Sequence, residues 1–187
     1  MVKRRAVFLD RDGTINVERE FLHRPAEFEF IHGAPQAIRL LNDAGFLVIV
    51  VTNQSGVARG YYDESAVSRL HRHLDAELAR FGAAIDGYYF CPHHPAYSTG
   101  SHGKSCACRK PQAGMLLKAA NDFPLDLASS YLIGDKLADV EAGLNAGCRP
   151  ILVRTGYGAA ESAKLPADIA VYDDLLTAVR AIVDEAG

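Results

Sequence analysis

Residues 6–14 read Ala6-Val7-Phe8-Leu9-Asp10-Arg11-Asp12-Gly13-Thr14. The first four form an unbroken apolar run, the pattern of a strand buried on both faces in a parallel sheet. Two carboxylates follow, at and just past the strand's C-terminal end. That edge is where open α/β sheets bind ligands. Residues two apart in an extended chain point to one side, so Asp10 and Asp12 can act together. One carboxylate can attack while the other handles protons, and the two can hold a divalent cation. Asp-Gly is also a common turn pair, so the rest of the chain decides between a plain turn and a site.

Strand-like and helix-like stretches alternate from there on, which predicts a doubly wound, Rossmann-like parallel sheet covered on both faces. Ala34–Ala44 reads as a helix stopped by Gly45. Phe46–Val51 is an apolar strand that ends at Thr52-Asn53-Gln54-Ser55-Gly56. Asp63 caps a long helix through Ala79, and Asp86–Phe90 is a third strand. Residues 91–110 are irregular. Gln112–Asp122 is helical, Tyr131–Ile133 is a strand that ends at Gly134-Asp135, and Leu137–Asn145 is a helix ended by Gly147. Ile151–Val153 and Ile169–Val171 read as two further strands, and Asp173 as the cap of a last amphipathic helix. Asp10/Asp12, Thr52/Asn53 and Asp135/Asp139 thereby all fall at strand C-terminal ends. Three such coincidences favour a site over chance loop polarity.

Composition sets the bounds. A chain of 187 residues predicts one domain over 1–187. It is 49% hydrophobic and 23% charged, the balance of a soluble globular protein. A net charge of -3 provides no global basic field for nucleic acid or an anionic membrane. Met1–Arg5 is basic, but the apolar stretch behind it ends at Asp10, too short for a signal-peptide core. No run is long enough to span a membrane. The expectation is a cytoplasmic protein, and the lack of an obvious apolar stripe predicts a monomer.

Three of the four cysteines fall within residues 91–108. Cys91, His93, Cys106 and Cys108 give the pattern Cys-x-His-x12-Cys-x-Cys, with His94 as the rival imidazole. Three thiolates and one imidazole make a closed tetrahedral set, the structural zinc arrangement. The segment between them has no apolar core, so a metal can supply its folding free energy. A cluster of free or redox-active thiols is the alternative. Cys148 reads as a small buried hydrophobe.

These landmarks resemble one family. Asp10-Arg11-Asp12-Gly13-Thr14, then Thr52, then Lys110 before Pro111, then Gly134-Asp135-Lys136-Leu137-Ala138-Asp139 match the four motifs of haloacid dehalogenase (HAD) superfamily phosphatases in order, over nearly the whole chain. The resemblance implies a HAD-type fold and phosphoryl transfer, which demands positioning and charge neutralisation. Asp10 would attack phosphorus to form an aspartyl-phosphate, and Asp12 would protonate the leaving alkoxide and then deprotonate water. Mg2+ would sit between Asp10, Asp135 and the main-chain carbonyl of Asp12. Thr52 and Lys110 would hold the phosphoryl oxygens. Asp139 is expected to orient Lys136 or support the metal shell rather than ligate it. Among the two imidazoles, the resemblance favours His93 over His94.

About 20 residues lie between the first motif and the helix at Ala34, and about 30 between the second motif's strand and the third strand. Neither gap holds a separate cap domain, so the site is expected to be open. One wall would come from the zinc loop with His93, His94 and His102. A capless fold with a zinc loop is similar to subclass IIIA, the histidinol-phosphatase-like group. Within it, Val51-Thr52-Asn53-Gln54-Ser55-Gly56 and Cys108-Arg109-Lys110-Pro111 look closer to members acting on a heptose bisphosphate. The implied activity is removal of the C7 phosphate, leaving the C1 phosphate for nucleotidyl transfer toward activated heptose for lipopolysaccharide. Histidinol phosphate, or another small phosphomonoester, is the alternative substrate. A non-catalytic zinc-dependent binding protein is the third reading. Arg109 has the planar fork suited to a second phosphate. Glu18, Arg19, Glu20 and Phe21 would approach the sugar, although this stretch departs from the Asp-His-Gly-Tyr-like segment of those members. Asn53, Gln54, Ser55 and Lys136 complete the expected substrate contacts.

Overall fold

The computed structural model describes residues 3–97 and 100–186; Met1 and Val2 of the basic start, Ser98 and Thr99 of the cysteine-rich loop, and Gly187 lie outside them. Six parallel strands form one sheet in the order β3-β2-β1-β4-β5-β6. They are β1 (Ala6–Leu9), β2 (Leu47–Asn53), β3 (Gly87–Cys91), β4 (Tyr131–Gly134), β5 (Arg149–Val153) and β6 (Ala170–Tyr172). Strand order reverses between β1 and β4, where Leu9 pairs with both Val50 and Ile133. This switch point opens a crevice at the strands' C-terminal ends.

The alternation of side chains along β1 shows why both faces need cover. Val7 and Leu9 join Val48, Val50 and Ile133 in one buried cluster. That cluster packs against α1 (Ala34–Asp43), α2 (Glu64–Ala79) and α6 (Leu175–Ala186). Ala6 and Phe8 face the other way, with Ile49, Val51 and Leu132, toward α3 (Gly114–Asp122) and α4 (Leu137–Ala146). A run of apolar residues is thus split by the pleat into two cores. A short helix, α5 (Gly158–Glu161), follows β5. Cys148 is buried in the second cluster, as read.

Helix ends follow local chemistry. Asp63 accepts from Ala66 N at 2.8 Å and starts α2. Gly147, at φ 77°, ends α4 in the left-handed conformation that glycine adopts without cost. The expected cap of α6 needs correction: Asp174, not Asp173, accepts from Thr177 N at 2.8 Å, while Asp173 pairs with Arg154 at 2.9 Å. β2 runs on through Thr52 and Asn53 because these pair with Phe90 and Cys91. α3 starts at Gly114 rather than Gln112, whose N–H is held by Arg109 O in a turn. Between β1 and α1 the described residues contain one short 3-10 turn, Pro25–Glu27, and between β2 and β3 only α2. No described helix is long and apolar enough to cross a membrane.

Candidate active site and metal centre

Asp10 leaves β1 with its N–H still bonded to Ile133 O at 2.9 Å, so the sheet fixes its position. Asp135 leaves β4, the neighbouring strand. Asp10, Asp135 and Asp139 each bring a carboxylate oxygen within 4.8 Å of the others, and all three are buried. The backbone comes close enough here to require glycine. A Cβ on Gly13 (φ 85°) or Gly156 (φ 58°) would stand 2.2 Å from Asp135 Oδ2.

Lys110 runs into this cluster. Its Nζ lies 2.9 Å from Asp10 Oδ1, 2.6 Å from Asp139 Oδ1 and 2.7 Å from the Val51 carbonyl. Its main chain is clipped to β2, where Asn53 Oδ1 accepts from Lys110 N and Asn53 Nδ2 donates to Lys110 O. Burial pulls Lys110 down, but Asp10 and Asp139 outweigh it and raise the group above the ordinary lysine range, so the ammonium stays charged. Asp139 therefore orients Lys110, not the Lys136 side chain; its other oxygen accepts from the Lys136 N–H at 3.0 Å.

Three buried acids outnumber the two nearby cations, Lys110 and Lys136, and leave an excess of negative charge. Burial and then the Asp10 charge push Asp135 up to about 8, and burial raises Asp139 to about 6 despite Lys110. Asp135 Oδ2 accepts from Tyr157 N at 2.9 Å, whereas its Oδ1 is buried with no partner. An unmatched carboxylate oxygen in an anionic crowd is what a hard divalent cation satisfies, so these residues fit a metal.

Asp12 has a different environment. Arg11 Nη2 donates to both its oxygens, at 2.9 and 3.1 Å, and Asn16 and Gln54 add bonds of 3.0 Å each. Burial would raise Asp12, but Arg11, Asn16 and Gln54 together hold it below the usual carboxylate range. Gln54 also donates to Thr52 Oγ1 at 2.9 Å and accepts from Tyr62 OH at 2.8 Å. Arg11 in turn contacts His71 from α2. Burial, and then the Arg11 charge, push His71 down to about 3.

His71 makes stability depend on pH in a defined direction. The unfolded chain takes up the proton near pH 6.5, while the folded protein does not until far lower. The contribution of neutral His71 is therefore complete above pH 6.5 and is lost as pH falls toward 3. Between pH 6.5 and 4.5 this amounts to about 2–3 kcal/mol. Urea unfolding at the two pH values should show His71→Gln losing less stability than wild type by that amount. Parallel losses in the two proteins would refute it.

A cavity of about 610 Å³ opens over these groups, a size suited to a small organic substrate. Asp10, Asp12, Thr52 and Lys110 line it with Glu18, Glu20, Phe21, Asn53, Gln54, Ser55, Arg109 and Lys136. Lys136 bonds Glu18 at 3.2 Å and stands over the Tyr157 ring. Glu20 and Phe21 sit at positive φ, 43° and 50°, a costly conformation for these residue types.

Two expectations fail here. Arg19 is not among the lining residues and pairs with Glu29 instead. The histidines do not form a wall. His93 faces the thiols, His94 accepts from Ala96 N, and His102 pairs with Glu64 at 2.9 Å. Arg59, Tyr62, Ala138 and Tyr157 line the cavity unforeseen. Tyr157 follows β5, and the sheet-edge rule that located the other clusters applied to that loop as well. Arg59 lies four residues past Ser55 with no sequence signal beyond its charge.

Cys91, His93, Cys106 and Cys108 form the second cluster. The Sγ–Sγ distances are 3.0 Å (Cys91–Cys108), 3.2 Å (Cys106–Cys108) and 3.4 Å (Cys91–Cys106). His93 Nδ1 stands 3.3 Å from Cys108 Sγ and 3.7 Å from Cys91 Sγ. Four donors bonded at about 2.0–2.3 Å to one tetrahedral ion would be roughly 3.4–3.8 Å apart; the observed spacings of 3.0–3.7 Å are tighter by a few tenths of an ångström, and three thiols with one imidazole converging on one point are a donor set that fits a zinc-sized metal. The cysteines are free thiols, not disulfides.

Comparison with known proteins agrees with this geometry. A family model described as HAD-hydrolase-like matches residues 107–178. The chain is 46% identical over 165 residues to a D-glycero-beta-D-manno-heptose-1,7-bisphosphate 7-phosphatase of Yersinia pestis, covering 87% of each protein. It is 43% identical over 180 residues to the protein of that name from Photorhabdus laumondii, covering 95% of this chain and 96% of the other. In structure it is similar to a D,D-heptose 1,7-bisphosphate phosphatase from B. bronchiseptica crystallised with magnesium and phosphate, with a TM-score of 0.88 and 36% identity over 97% of this chain and 99% of that one.

Proposed function

The chain belongs to the HAD-like hydrolases, in the family of D-glycero-beta-D-manno-heptose-1,7-bisphosphate 7-phosphatases, and from that premise we propose that it removes the C7 phosphate of this beta-configured heptose bisphosphate. It is a phosphoric monoester hydrolase. The observation that carries the reading is the buried cluster of Asp10, Asp135, Asp139 and Lys110 at the switch point, open to a cavity that also holds Arg59 and Arg109. Charge for a transferring phosphoryl group lies at its floor, and cations for a second phosphate lie in its lining.

Asp10 attacks phosphorus. The bond from phosphorus to the C7 oxygen breaks, and an aspartyl-phosphate forms. Asp12 gives its proton to the departing alkoxide and then takes one from the water that releases phosphate. In the free protein Asp12 is held ionised; a phosphate dianion in the cavity raises its proton affinity, which supplies the acid form when substrate is bound. Thr52 and Lys110 hold the phosphoryl oxygens, and Lys110 also keeps Asp10 in place. Asp10, Asp135 and the main-chain carbonyl of Asp12 would hold Mg2+, which when bound lets an anionic nucleophile approach an anionic ester. Asp139 bonds Lys110 and the Lys136 N–H, and it would place Lys110 beside the metal rather than join the ligands. Cys91, His93, Cys106 and Cys108 would hold a structural Zn2+, since four protein ligands leave no open position. Glu18, Glu20, Phe21, Asn53, Gln54, Ser55 and Lys136 would contact the sugar, and Arg109 the C1 phosphate. The product is a heptose 1-phosphate for activation toward lipopolysaccharide, made by a cytoplasmic monomer of one domain.

Phosphate release with Mg2+ from both C1 anomers of heptose 1,7-bisphosphate, beside histidinol phosphate, tests the assignment. We expect the beta anomer to lead in kcat/KM by about tenfold or more. A preference for histidinol phosphate would move the substrate while keeping the chemistry. No release from any of the three would overturn the enzymatic reading.

A further inference from the structure

Arg11 stands between the two carboxylates of the first motif and touches neither the phosphoryl group nor the metal ligands Asp10 and Asp135 in the mechanism proposed. Its side chain is fully buried although its charge is permanent. A buried guanidinium is costly unless its donors are matched, and here the matching is specific. Nη2 donates to both oxygens of Asp12 at 2.9 and 3.1 Å and to the Leu22 carbonyl at 3.0 Å; Nε lies 3.3 Å from Asp12 Oδ1. Nη1 meets His71 Nε2 at 3.4 Å. Arginine only donates, so His71 Nε2 accepts and its ring proton belongs on Nδ1.

His71 is itself braced. Its ring lies flat on Tyr88 of β3, with centroids 4.4 Å apart and planes 16° from parallel. The Tyr88 hydroxyl donates to Asp75 Oδ1 at 2.6 Å. The guanidinium is thus fixed by α2 through His71 and by Leu22. Leu22 ends the segment that carries Glu18, Glu20 and Phe21 into the cavity. Asn16 and Gln54 add their bonds to the same carboxylate, which leaves Asp12 a single orientation.

We propose that Arg11, braced by His71, is a positioning residue for proton transfer. It holds the Asp12 carboxylate in the orientation from which it reaches the leaving oxygen, and it ties that carboxylate to the loop beside the sugar. This rests on the reading of Asp12 as acid and base. A sugar alkoxide is a poor leaving group and needs the proton, while para-nitrophenolate departs with little help. Loss of positioning should therefore be selective for the substrate, which loss of packing is not.

The test compares single-turnover release of the sugar alcohol from heptose 1,7-bisphosphate with that of para-nitrophenolate from para-nitrophenyl phosphate, the step before water enters, with Asp12→Asn as reference; hydrolysis of the shared aspartyl-phosphate is kept out of the comparison. Arg11→Lys keeps a charge and removes the fork. It should lower the rate on the sugar bisphosphate about 10–100-fold and that on the aryl ester less than about threefold. Equal losses, or no loss, would overturn the proposal. If Asp12→Asn slows both substrates equally, the acid–base reading of Asp12 fails and this proposal with it. If Asp12→Asn is selective and Arg11→Lys is not, only the Arg11 proposal fails. Should Arg11→Lys not fold, the His71 variants decide. His71→Leu should show the same selective loss in smaller degree, and His71→Gln, which keeps an acceptor, should restore the rate. Leu and Gln variants behaving alike would overturn it.

Discussion

Asp10→Asn is expected to cut phosphate release from the sugar bisphosphate by about 10⁴-fold or more, the scale seen when a covalent nucleophile is removed. The fold should survive. The substitution keeps the side chain's shape, and Lys110 retains Asp139 at 2.6 Å and the Val51 carbonyl at 2.7 Å. The buried ammonium is therefore not orphaned, which separates this variant from a plain packing defect. Removing the Asp10 charge also lifts the second-largest cause that raises Asp135, so the remaining acids should ionise more readily. The measurement is a single-turnover assay with acid quench. Wild type should carry phosphate on the protein transiently, and Asp10→Asn should carry none. Activity within about tenfold of wild type would remove Asp10 from the nucleophile's role.

Loss of the Cys91, His93, Cys106 and Cys108 cluster should have the second largest effect, on stability and activity together. Among the described residues, 91–110 contribute few large buried side chains beyond Cys91 and Lys110, so a metal held by the cluster would be the main source of local order. We expect Cys108→Ser to cost about 3–5 kcal/mol, which for a chain of this size lowers Tm by roughly 10–15 °C. Arg109 and Lys110 directly follow Cys108. A shift of about 1 Å in such groups costs about 100-fold in rate. Asn53 clips the Lys110 main chain from β2, so a residual rate should persist. Chelation of wild type should reproduce both losses; Zn2+, unlike Mg2+, should restore the stability, and activity should return only when both ions are supplied. Purified protein without bound metal, together with a Tm for Cys108→Ser within about 2 °C of wild type, would refute a structural zinc.

Much of the site was legible in the sequence because its parts sit at local punctuation. Asp10, Thr52 and Asp135 each follow an apolar run, and an apolar run between helical stretches has few alternatives to a buried parallel strand. The Cys91, His93, Cys106 and Cys108 cluster was legible because soft donors at close spacing in a loop without a core point to a shared metal. His93 against His94 was decided by rotation of the chain: His93 turns toward the thiols and His94 toward Ala96 N. Spacing by itself carries no such information. Arg19 failed for a related reason. Neighbouring side chains leave the backbone in different directions, and Arg19 pairs with Glu29 while Glu18 and Glu20 line the cavity.

The sequence by itself determined the parallel sheet, the order of its functional motifs, the carboxylates at strand C-terminal ends and the cysteine cluster. Each depends on patterns spanning a few residues, where period, charge and turn chemistry act locally. Tertiary structure alone decided which groups meet. Lys110 reaches Asp10 across 100 residues of chain. Asp139 serves Lys110 rather than the Lys136 side chain. Arg59, Tyr62 and Tyr157 enter the cavity, and buried Arg11 finds His71. These pairings follow from sheet register and helix docking, which place side chains from distant segments within hydrogen-bond range. In a buried, low-dielectric setting the cost of an unmatched charge then selects a single arrangement.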